Sequence, residues 1–310
     1  MPPPPPSPAP ARPPGPPRPR LAVVVGDPRG IGPEVVRKAL RQPLNADIQI
    51  VGGWDDDAER SELEAGRAAA QSIEAAARQA LAGQVDAIVT GPVQKQALHA
   101  AGYEFPGVTE FLAHLAGDVP VAMMLATGRL RVVLVTTHLP LRDVVATITT
   151  ERVVKAGRIT TDALQRWWGI AEPRLAVCAL NPHAGEGGLF GDEDERVLRP
   201  AANALGAAGP LPADTVFVKA LRGEFDAVLA PYHDVGMTAV KVSGFGTGVN
   251  VTLGLPFVRT APDHGTAFDI AGKGIADAGS MRAALELAVQ LTLARTGSPA
   301  SLSAPAPVSR

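Results

Sequence analysis

Residues 21–40, "LAVVVGDPRGIGPEVVRKAL", decide the fold class. "LAVVVGD" is a β-branched apolar run without polar alternation, the pattern of a strand buried on both faces, and it ends in Gly26-Asp27. "IGPEVVRKAL" then opens a helix with Pro33 near its first turn, where a missing N–H costs nothing. The same alternation continues outward. "ADIQIVGG" reads as a second strand, and residues 64–83 as an Ala-rich amphipathic helix ended by Gly83. "VDAIVTGPV" is a third strand, followed by a helix through Lys95. "VAMMLATGRLRVVLVTTHLPL" holds two strands joined at Gly128, and residues 151–168 are helical. "RLAVCAL" and "FDAVLAPYHD" are buried strands, "GVNVTLGLPFVRT" contains further strand, and residues 277–293 form the last helix. Strands alternating with helices predict an α/β protein with a largely parallel sheet covered on both faces.

Composition narrows the function classes. Among 310 residues 46% are hydrophobic and 19% charged, as in a globular protein with a substantial core. No apolar run approaches the roughly 20 residues of a membrane span. A net charge of −2 without a basic stripe argues against nucleic acid. The single cysteine, Cys178, lies in an apolar run and reads as core packing in a reducing, cytoplasmic setting. The proline-dominated residues 1–20 and the "TGSPASLSAPAPVSR" stretch at 296–310 read as disordered tails, which leaves about 21–295 as the folded part.

Sheets of this kind bind ligands just past the carboxyl ends of strands, where Asp27, His138, His183 and His233 fall. A histidine at a strand end is more often a satisfied structural group. Three of them at equivalent positions, in "LVTTHLPL", "CALNPHAGEGG" and "VLAPYHDVG", shift the balance toward a divalent-metal site with open coordination positions. Asp234 beside His233, or Glu186 beside His183, is placed to orient a ring. Glycines 185, 187 and 188 leave room around His183. Lys95 in "TGPVQK" reads equally as an anion contact or a surface lysine. Lys241 and Arg259, flanking a Gly-rich stretch with Asn250, suit a phosphate or carboxylate. "PDHGTAFDIAGKGIAD" (262–277) is a glycine-rich loop able to wrap a flat cofactor, whereas "GDPRGIGPE" is not a GxGxxG fingerprint.

The collinear set "GDPRGIGPE", "TGPVQK", "TEFLA", "THLPL", "LNPHAGEGGLFGDE", "GPLPADT", "YHDVG", "GFGTGVNVTLGLPFVRT" and "DHGTAFDIAGKGIAD" resembles the 4-hydroxythreonine-4-phosphate dehydrogenase family over about residues 21–282. The last motif also resembles the loop that receives the adenosine part of NAD(P) in isocitrate and isopropylmalate dehydrogenases. The resemblance implies a two-domain α/β/α architecture with a cleft between domains. Residues 21–105 and 245–295 would form the cofactor-side domain, and 106–244 the metal, substrate and dimerisation domain. It implies a homodimer in which His138, His183 and His233 hold a divalent metal (zinc, magnesium or cobalt), His233 reaching across to the partner's site. It places substrate contacts on Val108, Thr109, Lys241, Asn250 and Arg259, with Lys241 also catalytic. The NAD or NADP loop falls on His264, Gly265, Thr266 and Ala267, with Asp277.

The implied reaction is hydride transfer from the substrate's secondary alcohol followed by loss of CO2, leading toward pyridoxine phosphate. Two features depart from the family pattern. Val108 stands where the family motif Gly-His-Thr-Glu has histidine, and the stretch between Gly53 and Ser61 is a few tens of residues shorter than usual. Related expectations are a dehydrogenase of threonate or erythronate 4-phosphate, a dihydrodiol-dicarboxylate dehydrogenase, or a non-catalytic relative. Retention of all three histidines with Lys241, Asn250 and Arg259 speaks against the last.

Overall fold

Leu21 and Val23 face one side of their strand, Ala22 and Val24 the other, and this two-residue alternation divides the whole core. The computed structural model describes residues 18–54 and 60–295. The expectations made for the two tails, and for the shortened stretch after Gly53, fall mainly outside the described residues. In chain order the elements are β1 (Arg20–Val24), α1 (Gly32–Ala39), β2 (Asp47–Val51), α2 (Glu62–Leu81), β3 (Ala87–Thr90), α3 (Lys95–Ala100) and α4 (Val108–Leu115). The hairpin β4 (Ala122–Thr127) and β5 (Leu130–Leu134) follows, then α5 (Leu141–Thr147), α6 (Thr150–Trp168) and β6 (Leu175–Cys178). The chain continues through α7 (Arg199–Leu205), β7 (Ala208–Leu211), α8 (Ala213–Leu221), β8 (Ala227–Ala230), α9 (His233–Ser243), β9 (Val249–Leu253), β10 (Val258–Pro262) and α10 (Gly279–Arg295).

The strands form one sheet, ordered β2-β1-β3-β10-β9-β4-β5-β8-β6-β7. It is largely parallel, as expected, but mixed at its centre. β2, β1, β3 and β10 run together, and so do β5, β8, β6 and β7. β9 is antiparallel to both its neighbours and β4 to both of its own, so the two parallel halves point in opposite directions. An apolar run carries no information about strand direction, so the expectation of a parallel sheet missed this inversion. The consequence bears on Asp27. It follows β1 and lies at the sheet edge opposite the one where β5, β6 and β8 deliver His138, His183 and His233.

Three layers result. One sheet face carries a continuous core under α1, α6, α7 and α10. The other face carries two separate clusters, one under α2, α3 and α4 and one under α8 and α9. Cys178 lies fully buried in the latter, and burial, then the nearby Asp194 carboxylate, pushes its thiol up to about 12.

The α2–α3 contact depends on Gly66, because a Cβ there would collide with the Ala97 carbonyl. Gly66→Ala is therefore expected to lower the unfolding free energy by about 1–3 kcal/mol through overpacking. Alanine is the better helix former by about 1 kcal/mol, so a stability gain in urea denaturation would contradict this packing.

Candidate functional site

Between the two clusters of the divided face lies a polar band. Thr90 ends β3, Arg259 lies on β10, and Asn250 and Thr252 lie on β9, all on the face opposite Val258, Val251 and Leu253. Arg259 is 4% exposed. Its Nη1 donates to Thr252 Oγ1 at 3.0 Å and its Nη2 to Thr90 Oγ1 at 2.6 Å. Both partners are neutral hydroxyls, and among the described residues no carboxylate forms an ion pair with it. Among the described residues its Nε has no partner, and neither does the buried Oδ1 of Asn250. Burial pushes the Arg259 guanidinium down to about 10, and the field of Glu110 opposes this. At neutral pH the band therefore holds a buried positive charge with a free N–H, a combination that suits an incoming anion. Thr109 joins it, with its hydroxyl 3.4 Å from that of Thr252. Val108, one residue earlier at the start of α4, packs against the apolar cluster under that helix.

The three strand-end histidines lie at one sheet edge, but not as a triad. His138 follows β5 and His233 opens α9 after the adjacent β8, and their ring centroids are 5.4 Å apart. Asp234 Oδ1 lies 2.7 Å from His233 Nδ1, fixing that ring as the Asp-His adjacency implied. Lys95 Nζ stands 3.4 Å from His138 Nδ1, so the lysine of "TGPVQK" belongs to the site. Burial, then the Lys95 ammonium and the His233 ring, hold His138 below its ordinary value, against the pull of Glu110. The neutral ring that results is the form that binds metal. His183 follows β6, the strand beyond β8, and its ring faces Phe190 at 6.5 Å, not the other two imidazoles. Among the described residues of one chain, no three His, Cys, Asp or Glu side chains converge on a single ion position. As donors, the His138–His233 pair fits a divalent ion, and a third imidazole completes a familiar set.

Around His183 the backbone is unusual. His183, Ala184, Gly185, Glu186 and Gly187 are all left-handed in succession, with φ between 41° and 80°. Glycine adopts this region freely, but each of the other three costs on the order of 1–2 kcal/mol. Glu186 accepts a backbone hydrogen bond from Leu189 through its carbonyl, at 3.3 Å, and does not orient the His183 ring.

On the side expected to take a cofactor, the loop after β10 is tied to α1. Ile31 N–H donates to the Thr266 carbonyl at 2.9 Å, Lys38 Nζ to the Gly274 and Ala276 carbonyls, and Ala276 N–H to Glu34 Oε1. Arg29 stacks over Phe268 at 5.2 Å while paired with the buried Asp27. His264 Nδ1 lies 3.0 Å from the Gly265 carbonyl and its Nε2 is buried without a partner. Ala267 takes φ 43°, and Asp277 accepts from Gly279 N–H at 2.7 Å. Lys241 is not free for an anion here. Its Nζ contacts Asp263 Oδ2 at 2.6 Å, at the far end of β10 from Val258. Reading by residue type missed Thr90, Thr252 and Glu110, because hydroxyls and carboxylates near strand ends and helix starts are common. Pairing "FVRT" with "VNVTL" across one hairpin would have found Thr252.

Residues 33–288 match the family described as pyridoxal phosphate biosynthetic protein PdxA. A 4-hydroxythreonine-4-phosphate dehydrogenase of Beijerinckia indica is 43% identical over 319 residues, 87% of this chain and 94% of that protein. A Bradyrhizobium diazoefficiens protein named "Putative D-threonate 4-phosphate dehydrogenase" is 42% identical over 339 residues, 90% of this chain and 98% of that protein. The crystal structure of 4-hydroxythreonine-4-phosphate dehydrogenase from Klebsiella pneumoniae superposes with a TM-score of 0.78 at 38% identity, covering 89% of this chain and 98% of that one. A β-decarboxylating dehydrogenase from Thermococcus kodakarensis, at 19% identity and a TM-score of 0.51 over 90% of this chain and 84% of that one, shares the fold.

Two outcomes follow from the charges of the band and the edge. Arg259→Met removes an uncompensated buried charge, so thermal stability should be unchanged or higher while substrate KM rises about a hundredfold or more. A large loss of stability would mean that Arg259 is structural. Lys95→Met should raise the NMR-measured pKa of His138 toward its ordinary value, since one of the charges that depress it is gone. The sign for folding follows. With the folded value below the unfolded one, acidification protonates the unfolded chain first, so His138 costs stability as pH falls below about 6.5.

Proposed function

The chain belongs to the pyridoxal phosphate biosynthetic protein PdxA family, whose named relatives are dehydrogenases, and from that membership we propose that this oxidoreductase acts on 4-phosphooxy-L-threonine. The reaction is oxidation of the secondary alcohol with loss of CO2, giving 3-amino-2-oxopropyl phosphate, with NAD or NADP and a divalent ion of zinc, magnesium or cobalt. The observation that carries this reading is Arg259, buried with an unpaired Nε and two hydroxyl partners. Such a group favours a substrate with an anionic end.

His138, His183 and His233 would hold the metal, in a homodimer whose second copy helps complete the set, and the cofactor would lie along His264, Gly265, Thr266, Ala267 and Asp277. When bound, the metal supplies Lewis acidity at the alcohol oxygen and the nicotinamide a hydride acceptor. Arg259, with the Asn250 amide and the Thr109 hydroxyl, grips the anionic end and fixes the reacting carbon. Lys95 and the neutral His138 meet 3.4 Å apart, where an alcohol proton can be passed on. Lys241 reaches the substrate by exchanging Asp263 for an anion. Such a metabolic enzyme works in the cytoplasm.

A second reading, oxidation of a four-carbon sugar-acid phosphate such as D-threonate or erythronate 4-phosphate, is favoured by Val108. A valine packed into an apolar cluster offers no hydrogen bond where the family has histidine. The two readings separate on kcat/KM. If 4-phosphooxy-L-threonine is the substrate, it should be used with added Zn2+, Mg2+ or Co2+, and Val108→His should raise kcat/KM on it about ten- to a hundredfold, the worth of one restored polar contact. Faster turnover of D-threonate or erythronate 4-phosphate, with no gain from Val108→His, would select the second reading. No turnover of any of these with either nicotinamide cofactor would contradict both.

A further inference from the structure

We propose that Asp194 is the positioning residue for His183, holding the left-handed turn that presents this imidazole; the proposal rests on His183 being a metal ligand. Asp194 is fully buried, and among the described residues it forms no ion pair. Its two oxygens instead receive the backbone N–H groups of Leu180 and Asn181, at 2.9 and 3.0 Å, the two residues that end the β6 run and enter the turn. Next to it, Glu193 Oε2 accepts from Asn181 Nδ2 at 2.8 Å, so adjacent carboxylates grip the same entry point. At the exit, Phe190 N–H donates to the Gly185 carbonyl at 3.1 Å and closes the turn on itself.

An acid in the first turn of a helical stretch, here Asp194–Leu198, is favourable for the helix dipole, but that role needs neither complete burial nor two loop amides as partners. The cost of the turn lies in His183, Ala184 and Glu186, the three side-chain-bearing residues held left-handed. Charge-assisted hydrogen bonds to the two preceding amides are the strongest polar contacts available to offset it. Without them the chain after Leu180 is free to relax into an ordinary loop, and His183 would leave its presented position.

The test is Co2+ titration of the metal-free, full-length protein, followed by the visible ligand-field bands. Asp194→Asn keeps the shape but sets an amide N–H2 against a backbone N–H. It should weaken Co2+ binding about 10- to 100-fold, the usual effect of losing a group that orients a metal ligand. Introduced into His183→Ala protein, the same change should cause no further loss, because a positioning residue acts only through the ligand it holds. An equal additional loss in that background would overturn the proposal. So would wild-type Co2+ affinity in Asp194→Asn while His183→Ala is weakened, and this outcome would leave the metal reading standing. Wild-type affinity in His183→Ala would overturn both. Should Asp194→Asn fail to fold, Ala184→Val strains the same turn with Asp194 in place. Weakened Co2+ binding there supports the proposal, and unchanged binding overturns it.

Discussion

A guanidinium taken out of water costs several kcal/mol unless a counter-charge replaces the lost hydration, and among the described residues Arg259 has only two threonine hydroxyls to do so. The rest of the architecture accommodates that charge. On one sheet face the alternating apolar residues of every strand but β7 merge into a single core, whereas on the Arg259 face they are parted into two clusters. A leucine at position 259 would have joined those clusters and contributed about 2 kcal/mol of burial. The chain forgoes that contribution and keeps a polar band with a buried charge between the clusters.

The strand directions give the sheet two differently furnished edges. Because the halves of the sheet run oppositely, β1 and β10 deliver Asp27 and the 263–277 loop to one edge, while β5, β8 and β6 deliver the histidines to the other. The polar band of β3, β10 and β9 lies on the face between them. Helix α9 starts at His233 on one edge and ends near Lys241, whose ammonium meets Asp263 on the other. Arg259, on β10, lies on the face between these two groups of residues. The inverted central pair, β9 and β4, is the topological feature that makes this possible.

Much of this was legible in the sequence, for physical reasons that differ by element. The strands were legible because burial on both faces leaves near-continuous apolar runs, and the three histidines because they follow such runs directly. Arg259 and Asn250 stood out as polar side chains inside an apolar stretch. Strand direction was not legible, since side-chain alternation is the same either way along a chain, and so neither was the separation of Asp27 from the histidines. Thr90 and Thr252 were hidden because a threonine in a strand is ordinary until the register sets it against a charge. Lys95 could be read two ways until the fold brought it to His138. Helix α9 was missed because Gly236 and the β-branched Val235, Thr238, Val240 and Val242 are weak helix formers. Asp194 was inconspicuous among the four acids of "DEDE", and only its burial distinguishes it.

The central claim is that the unpaired Nε of Arg259 awaits an anion. A crystal structure of the protein with 4-phosphooxy-L-threonine tests it most directly. The account predicts a carboxylate or phosphate oxygen about 2.7–2.9 Å from Arg259 Nε, with the Thr90 and Thr252 hydroxyls still on the terminal nitrogens. A substrate bound elsewhere in the cleft, with that Nε still lacking any anionic partner, would contradict it.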